Sequence, residues 1–129
     1  AGADTGEVRI FTGTSSGGRG GDILISSGAG NFGRGGNVDI DAGSTTDRQV
    51  SAGAVNIRGG PALNVALGLG GNVTLVGGLG AGESSVDGGS GGHVVLTGGE
   101  SRGLGGLNPG GTVSITGGFA ASSAGGAVE

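Results

Sequence analysis

The amino-acid sequence predicts an all-β fold, a glycine-rich parallel β-solenoid (β-helix) of about seven coils with 15–21 residues per coil. Three observations predict it: one frame of glycine and aliphatic residues recurs along the chain, side-chain character alternates with period two inside each frame, and glycine supplies 38 of 129 residues. Self-similarity at a near-fixed period is the mark of repeat architectures, in which each unit is covered by its neighbours.

The frame is a glycine, an aliphatic at +2, an aliphatic at +4 and a glycine at +7, and only the connection between frames varies in length. Its seven copies are Gly6-Val8-Ile10-Gly13, Gly21-Ile23-Ile25-Gly28, Gly36-Val38-Ile40-Gly43, Gly53-Val55-Ile57-Gly60, Gly71-Val73-Leu75-Gly78, Gly92-Val94-Leu96-Gly99 and Gly111-Val113-Ile115-Gly118. A partial copy starts at Gly126 and Val128 and stops at Glu129, so residues 1–129 read as a single repeat array. The chain opens without Met and ends inside a repeat, and a processed product or a slice of a longer protein is the expectation.

Aliphatics two apart inside a glycine-bounded window match the period of a strand and not the 3.6 of a helix. Val and Ile fill most of these positions and favour a pleated, half-buried surface. The +2 and +4 side chains are therefore expected to stack as two core ladders. Paired glycines before most strands, such as Gly20-Gly21, Gly35-Gly36 and Gly110-Gly111, are expected to turn corners at positive φ. The Gly/Ser/Ala-rich stretches between frames, Gly13–Gly20 for example, read as return arms. The alternating insert Pro61–Leu69 predicts a second strand in the fourth coil. Two aliphatics per repeat bury little against the entropy of ordering a glycine-rich chain. The unit is thus expected to rely on neighbours, as further repeats or as copies beside it.

The +1, +3 and +5 positions face away from the ladder. They carry Glu7, Arg9, Asp22, Asp39, Asp41 and Arg58 in the first four copies, and no formal charge in the last three. The uncharged face made by Thr74, Val76, Val95, Thr97, Thr112, Ser114 and Thr116 is a candidate intersubunit surface.

Composition excludes several chemistries. The absence of Cys excludes disulfides, thiolate metal sites and cysteine nucleophiles, and the absence of Lys excludes a Walker-type phosphate loop and a Schiff-base lysine. A net charge of −4 with six scattered arginines offers no footprint for nucleic acid or anionic membrane. The apolar runs are too short for a membrane span. Gly28-Ala29-Gly30-Asn31-Phe32-Gly33 spells the dinucleotide fingerprint, but a strand and not a helix is expected after it, so no pyrophosphate site follows. His93 is the sole histidine and is read as a surface residue, without the carboxylate and nucleophile that a catalytic triad needs. Gly35–Asp41 partly matches a calcium-binding nonapeptide, but its aspartates do not recur with the repeat. No catalytic residue, cofactor or metal is expected. Asn72-Val73-Thr74 is an N-glycosylation sequon whose Asn72 and Thr74 both face outward. Ser15, Ser16, Ser84, Ser85, Ser122 and Ser123 in the return arms are candidate O-glycosylation sites.

The repeat seen in Gly71-Asn72-Val73-Thr74-Leu75-Val76-Gly77-Gly78 and Gly111-Thr112-Val113-Ser114-Ile115-Thr116-Gly117-Gly118 resembles two groups of surface proteins. One comprises the glycine-rich, Ser-Ser-containing repeats of extracellular and flagellar-hair-like proteins of stramenopile algae. The other, more distant, comprises the β-helix repeats of filamentous-haemagglutinin-type adhesins, which usually have two apolar strands per coil. The first resemblance implies a secreted, glycosylated fibre or sheath subunit at the cell surface or outside it, and neither carries over a catalytic residue. The functional expectation is a non-catalytic segment of an extracellular filament, hair or sheath that associates with itself by strand stacking and lateral packing. An adhesin stalk or carbohydrate-binding surface module is the alternative.

Overall fold

The computed structural model describes residues 4–63 and 66–129. The chain divides into two compact units, Ala1–Ile57 and Arg58–Glu129. The boundary falls directly after the aliphatic pair of the fourth frame.

The parallel β-solenoid expected from the sequence does not form. Among the described residues there is no helix and no β-strand. The aliphatic pairs, from Val8 and Ile10 to Val113 and Ile115, close no core: every described Val, Ile, Leu and Phe is at least 47% exposed. The second strand expected in the fourth coil is absent as well. Its Asn64 and Val65 lie outside the described residues, the chain turns at 66–67, and Leu63, Leu67 and Leu69 are all exposed.

The physical reason lies in where the backbone hydrogen bonds fall. In the first unit the Gly36 N–H donates to the Gly28 carbonyl at 3.3 Å and the Gly53 N–H to Gly43 at 2.9 Å. In the second, Gly71 donates to Gly60, Gly92 to Gly78, Gly111 to Gly99 and Gly126 to Gly118, all at 2.8–2.9 Å. Each bond joins the opening glycine of one frame to the closing glycine of the frame before it. A sheet needs consecutive rungs along both strands, and among the described residues none joins the interiors of two frames. Two aliphatics per frame, facing arms of Gly, Ser and Ala, supply too little apolar surface to hold the frames together over their length.

What forms instead is a chain of straight frames and closed loops. The backbone bends at 16–18, 31–33, 48–50, 66–67, 85–87, 104–107 and 121–123, once in every loop and in no frame. Inside the frames the period-two alternation persists without a sheet. Ile23 and Ile25 are 51% and 69% exposed, whereas Leu24 between them is 88% exposed. The Arg9 guanidinium likewise meets the Glu7 carboxylate, two residues away on the same side, at 2.9 Å.

The glycine pairs do not work as positive-φ corners. Gly33, at φ +83°, is the one positive-φ residue among those described, and it turns the tip of the loop that Gly28 and Gly36 close. Glycine is required elsewhere because of close approach. In the second unit a Cβ at the +6 residues Gly59, Gly77, Gly98 or Gly117 would fall on the carbonyl oxygen of the next frame's opening glycine. The first unit has Thr12, Ser27 and Ala42 at +6, and there Thr12 Oγ1 donates to the Gly21 carbonyl at 3.1 Å and Ser27 Oγ to that of Gly36 at 2.8 Å. A side-chain hydroxyl thus clasps the loop in the first two frames, and bare backbone contact does so in the last four.

These closures are testable one at a time. Gly98→Ala places a methyl group on the Gly111 carbonyl and opens the Gly111–Gly99 hydrogen bond, at a cost of about 1 kcal/mol. Hydrogen exchange by NMR is expected to show the Gly111 amide exchanging roughly fivefold faster. Gly99→Ala meets open space and is expected to leave that amide unchanged.

Candidate functional site

Two kinds of surface recur with the repeat: the sides of the frames and the tips of the loops. On the frames, the ladder positions and the outward positions are both solvent-exposed. Thr74, Val76, Val95, Thr97, Thr112, Ser114 and Thr116 lie exposed within the second unit. The +2 valines and the isoleucine of the later frames are 47–57% exposed, against 78–88% for the apolar outward residues Phe11, Leu24, Val76 and Val95. The two sides of a frame therefore differ in how far they are covered, although neither is buried.

At the loop tips, the three serine pairs fall on or beside bends. Ser15 and Ser16 border the bend at 16–18, Ser84 and Ser85 that at 85–87, and Ser122 and Ser123 that at 121–123; all six are exposed. Asn72 is exposed at the +1 position of the fifth frame, immediately after the Gly71 amide that closes the preceding loop. Its sequon partner Thr74 is exposed too. Each of these candidate groups is exposed, and they are spread along the sequence from 15 to 123.

The longest of these closed loops, between Gly78 and Gly92, has an internal order that sequence reading missed. The Gly92 N–H donates to Gly78 at 2.8 Å and the Gly89 N–H to Gly82 at 3.1 Å, so the two arms run antiparallel. A Cβ at Gly80 would strike the Ser90 carbonyl, and one at Gly82 would strike the Gly89 amide. The arms zip because their facing positions lack side chains. The signal was legible in the alternate glycines 78, 80 and 82 opposite the glycine-rich run 88–92. At the tip, Ser84 Oγ accepts from the Val86 N–H at 3.2 Å and the Asp87 N–H at 3.1 Å, a serine turn that fixes Glu83–Asp87. Ser85 next to it presents its hydroxyl at the bend.

Two other loops are held by comparable local bonds. Asp47 Oδ1 accepts from the Gln49 N–H and Thr45 Oγ1 from the Asp47 N–H. Asn108 donates to the Gly105 carbonyl through both its backbone N–H and Nδ2, each at 3.2 Å. The fingerprint-like run Gly28–Gly33 enters the tip of a short closed loop, with the third frame following it. Among the described residues no three His, Asp or Glu side chains converge as a metal site would require, and Asp39 and Asp41 stand as an exposed pair on one side of the third frame. No helix of the described residues is long and apolar enough to cross a membrane.

The serine turn gives a direct test. Ser84→Ala removes the acceptor for two amides and is expected to speed hydrogen exchange at Val86 and Asp87 several-fold, while Ser85→Ala leaves both unchanged. Compared with known protein families, with curated proteins and with solved structures, the chain matches none.

Proposed function

We propose that this chain is a non-catalytic structural subunit, or a segment of one, in an extracellular filament, hair or sheath, and that it works by associating with itself. The observation that carries this reading is the exposure of a periodic apolar surface. The chain presents 12750 Å² to solvent, about twice the roughly 5,900 Å² expected of a folded monomer of 11.8 kDa. About half of its exposed large apolar side chains recur as aliphatic pairs every 15–21 residues, and the rest lie on outward positions and in the loops. Water disfavours such a surface, and association with further repeats removes it from water.

Glycans on the loop tips and at Asn72 fit the same reading. Exposed hydroxyls in the loops between frames are places where a bulky polar group leaves the frames themselves unmodified. The adhesin or carbohydrate-binding reading draws on a different observation, the exposed uncharged row of Thr74, Val76, Val95, Thr97, Thr112, Ser114 and Thr116.

The two readings part in solution. A structural subunit is expected to assemble above a threshold concentration with no ligand present, seen as a rise in light scattering and as regular particles by electron microscopy. An adhesin module is expected to remain monomeric and to bind a sugar saturably on a glycan array. Intact mass of the native material is expected to exceed the sequence mass, with the excess mapping to the serine pairs or Asn72; an unmodified mass removes the glycan part of the reading.

A further inference from the structure

We infer that Asp87, at the tip of the Gly78–Gly92 loop, is a site of spontaneous covalent modification, at which the main chain closes a succinimide with Gly88 and reopens in part as isoaspartate. Everything the reaction needs lies within one loop of the second unit, and it is independent of whether the chain assembles with itself.

The residue pair is singular in this chain. A side-chain carboxyl can reach the amide nitrogen of the next residue in a five-membered ring, and the side chain of that next residue is what ordinarily obstructs the approach. Five of the six aspartates are followed by Thr5, Ile23, Ile40, Ala42 and Arg48. Asp87 alone is followed by glycine, and no asparagine is. Gly88 has no Cβ to stand in the way.

The tip of the loop leaves both reacting groups uncommitted. The Asp87 N–H donates to Ser84 Oγ and the Gly89 N–H to the Gly82 carbonyl, each at 3.1 Å, whereas the Gly88 N–H between them donates to nothing among the described residues. The Asp87 carboxylate is exposed, and the ion pairs of the described residues, Arg9–Glu7 and Arg102–Glu100, lie elsewhere. Asp47, beside another loop bend, differs on both counts: Arg48 follows it, and its Oδ1 accepts from the Gln49 N–H at 3.2 Å. The serine turn and the Gly89–Gly82 bond hold the backbone on either side of Asp87 while the carboxylate itself remains free to turn toward Gly88.

The chemistry balances with water alone. The Gly88 nitrogen attacks Asp87 Cγ, the N–Cγ bond forms and a Cγ–O bond breaks. The departing oxygen leaves as water, carrying the amide proton and one proton from solvent. A second water then opens the ring. Addition at Cγ breaks the new N–Cγ bond and restores aspartate. Addition at the main-chain carbonyl carbon breaks the original peptide bond and leaves Gly88 joined through Cγ, which is isoaspartate. Either opening returns the proton to solvent, and nothing is oxidised or reduced.

Isoaspartate inserts one carbon, about 1.5 Å of chain, between the Asp87 amide held by Ser84 and the Gly89 amide held by Gly82. The upper bond of the zipped arms then loses its register, while the Gly92–Gly78 closure at the base lies beyond the inserted atom and is kept.

The test incubates the full chain warm at neutral pH for several weeks in water enriched in oxygen-18, followed by peptide mapping with electron-transfer fragmentation. Each ring opening places one heavy oxygen on residue 87, whichever carbonyl is attacked. Label at residue 87 is expected, together with an isoaspartyl form of the same peptide and little label at Asp47. Asp87→Glu keeps the charge but cannot close a five-membered ring, and is expected to lose both signals. In the isoaspartyl form the Gly89 amide is expected to exchange hydrogen several-fold faster and the Gly92 amide to be unchanged. Absence of label at residue 87, label at Asp47 equal to it, or isoaspartate persisting in Asp87→Glu overturns the inference.

Discussion

Every junction in this molecule depends on how closely two stretches of backbone can approach. From the third frame on, the opening glycine of a frame reaches the closing glycine of the previous one through a single N–H to carbonyl bond, and in the second unit that contact has no space for a Cβ on the neighbouring +6 residue. Glycine is abundant here for a steric reason that recurs at each repeat, and the entropy lost in ordering it is offset locally, one closure at a time. In the first unit the same junction is made by the hydroxyls of Thr12 and Ser27, which reach the carbonyl that bare backbone approaches elsewhere. The hydroxyl clasp ends at the second frame, and Ala42 takes the +6 position in the third, still within the first unit.

The closures order the loops without building a sheet, and this separation explains the state of the apolar residues. A frame whose ends are pinned stays straight, as the alternation of Ile23, Leu24 and Ile25 shows, but has nothing beside it to bury its aliphatics. Local order and apolar burial, which most domains achieve in one step, are here uncoupled. The first is present in the loops, and the second is absent among the described residues, where every Val, Ile, Leu and Phe stays exposed.

Much of this was legible in the sequence, and the part that was not has a definite cause. The frames, their register and the restriction of length variation to the loops follow from the spacing of Gly6, Gly21, Gly36 and their successors, and the bends fall in the loops so defined. The alternation of sides followed from the V-x-I pattern. The solenoid did not follow, because a period-two pattern specifies which way side chains point and not whether a second strand lies alongside. Reading the glycine pairs as corners mistook their role: positive φ is used at Gly33, whereas Gly77 and Gly98 are glycine for lack of space. That distinction depends on contacts between residues ten or more apart, which the local sequence cannot display. Among the candidate modification sites, the position of the serine pairs at the bends was implicit in their place between frames, while the serine turn that engages Ser84 and leaves Ser85 presented was not.

The uniform base of the loops bears on how such a protein can change over generations. A loop that spans Gly28 to Gly36 and one that spans Gly78 to Gly92 are closed by the same glycine bond, although they differ nearly twofold in reach. Doubling a flexible loop adds only about 0.6 kcal/mol of closure entropy. Insertions above the closing bond are therefore nearly free, whereas a single methyl group on the +6 residue beside it in the second unit is not. Selection can remodel the tips, their serines, acids and length, without disturbing the frames beneath. The architecture divides its residues into a repeated grammar of closures and an open vocabulary of tips.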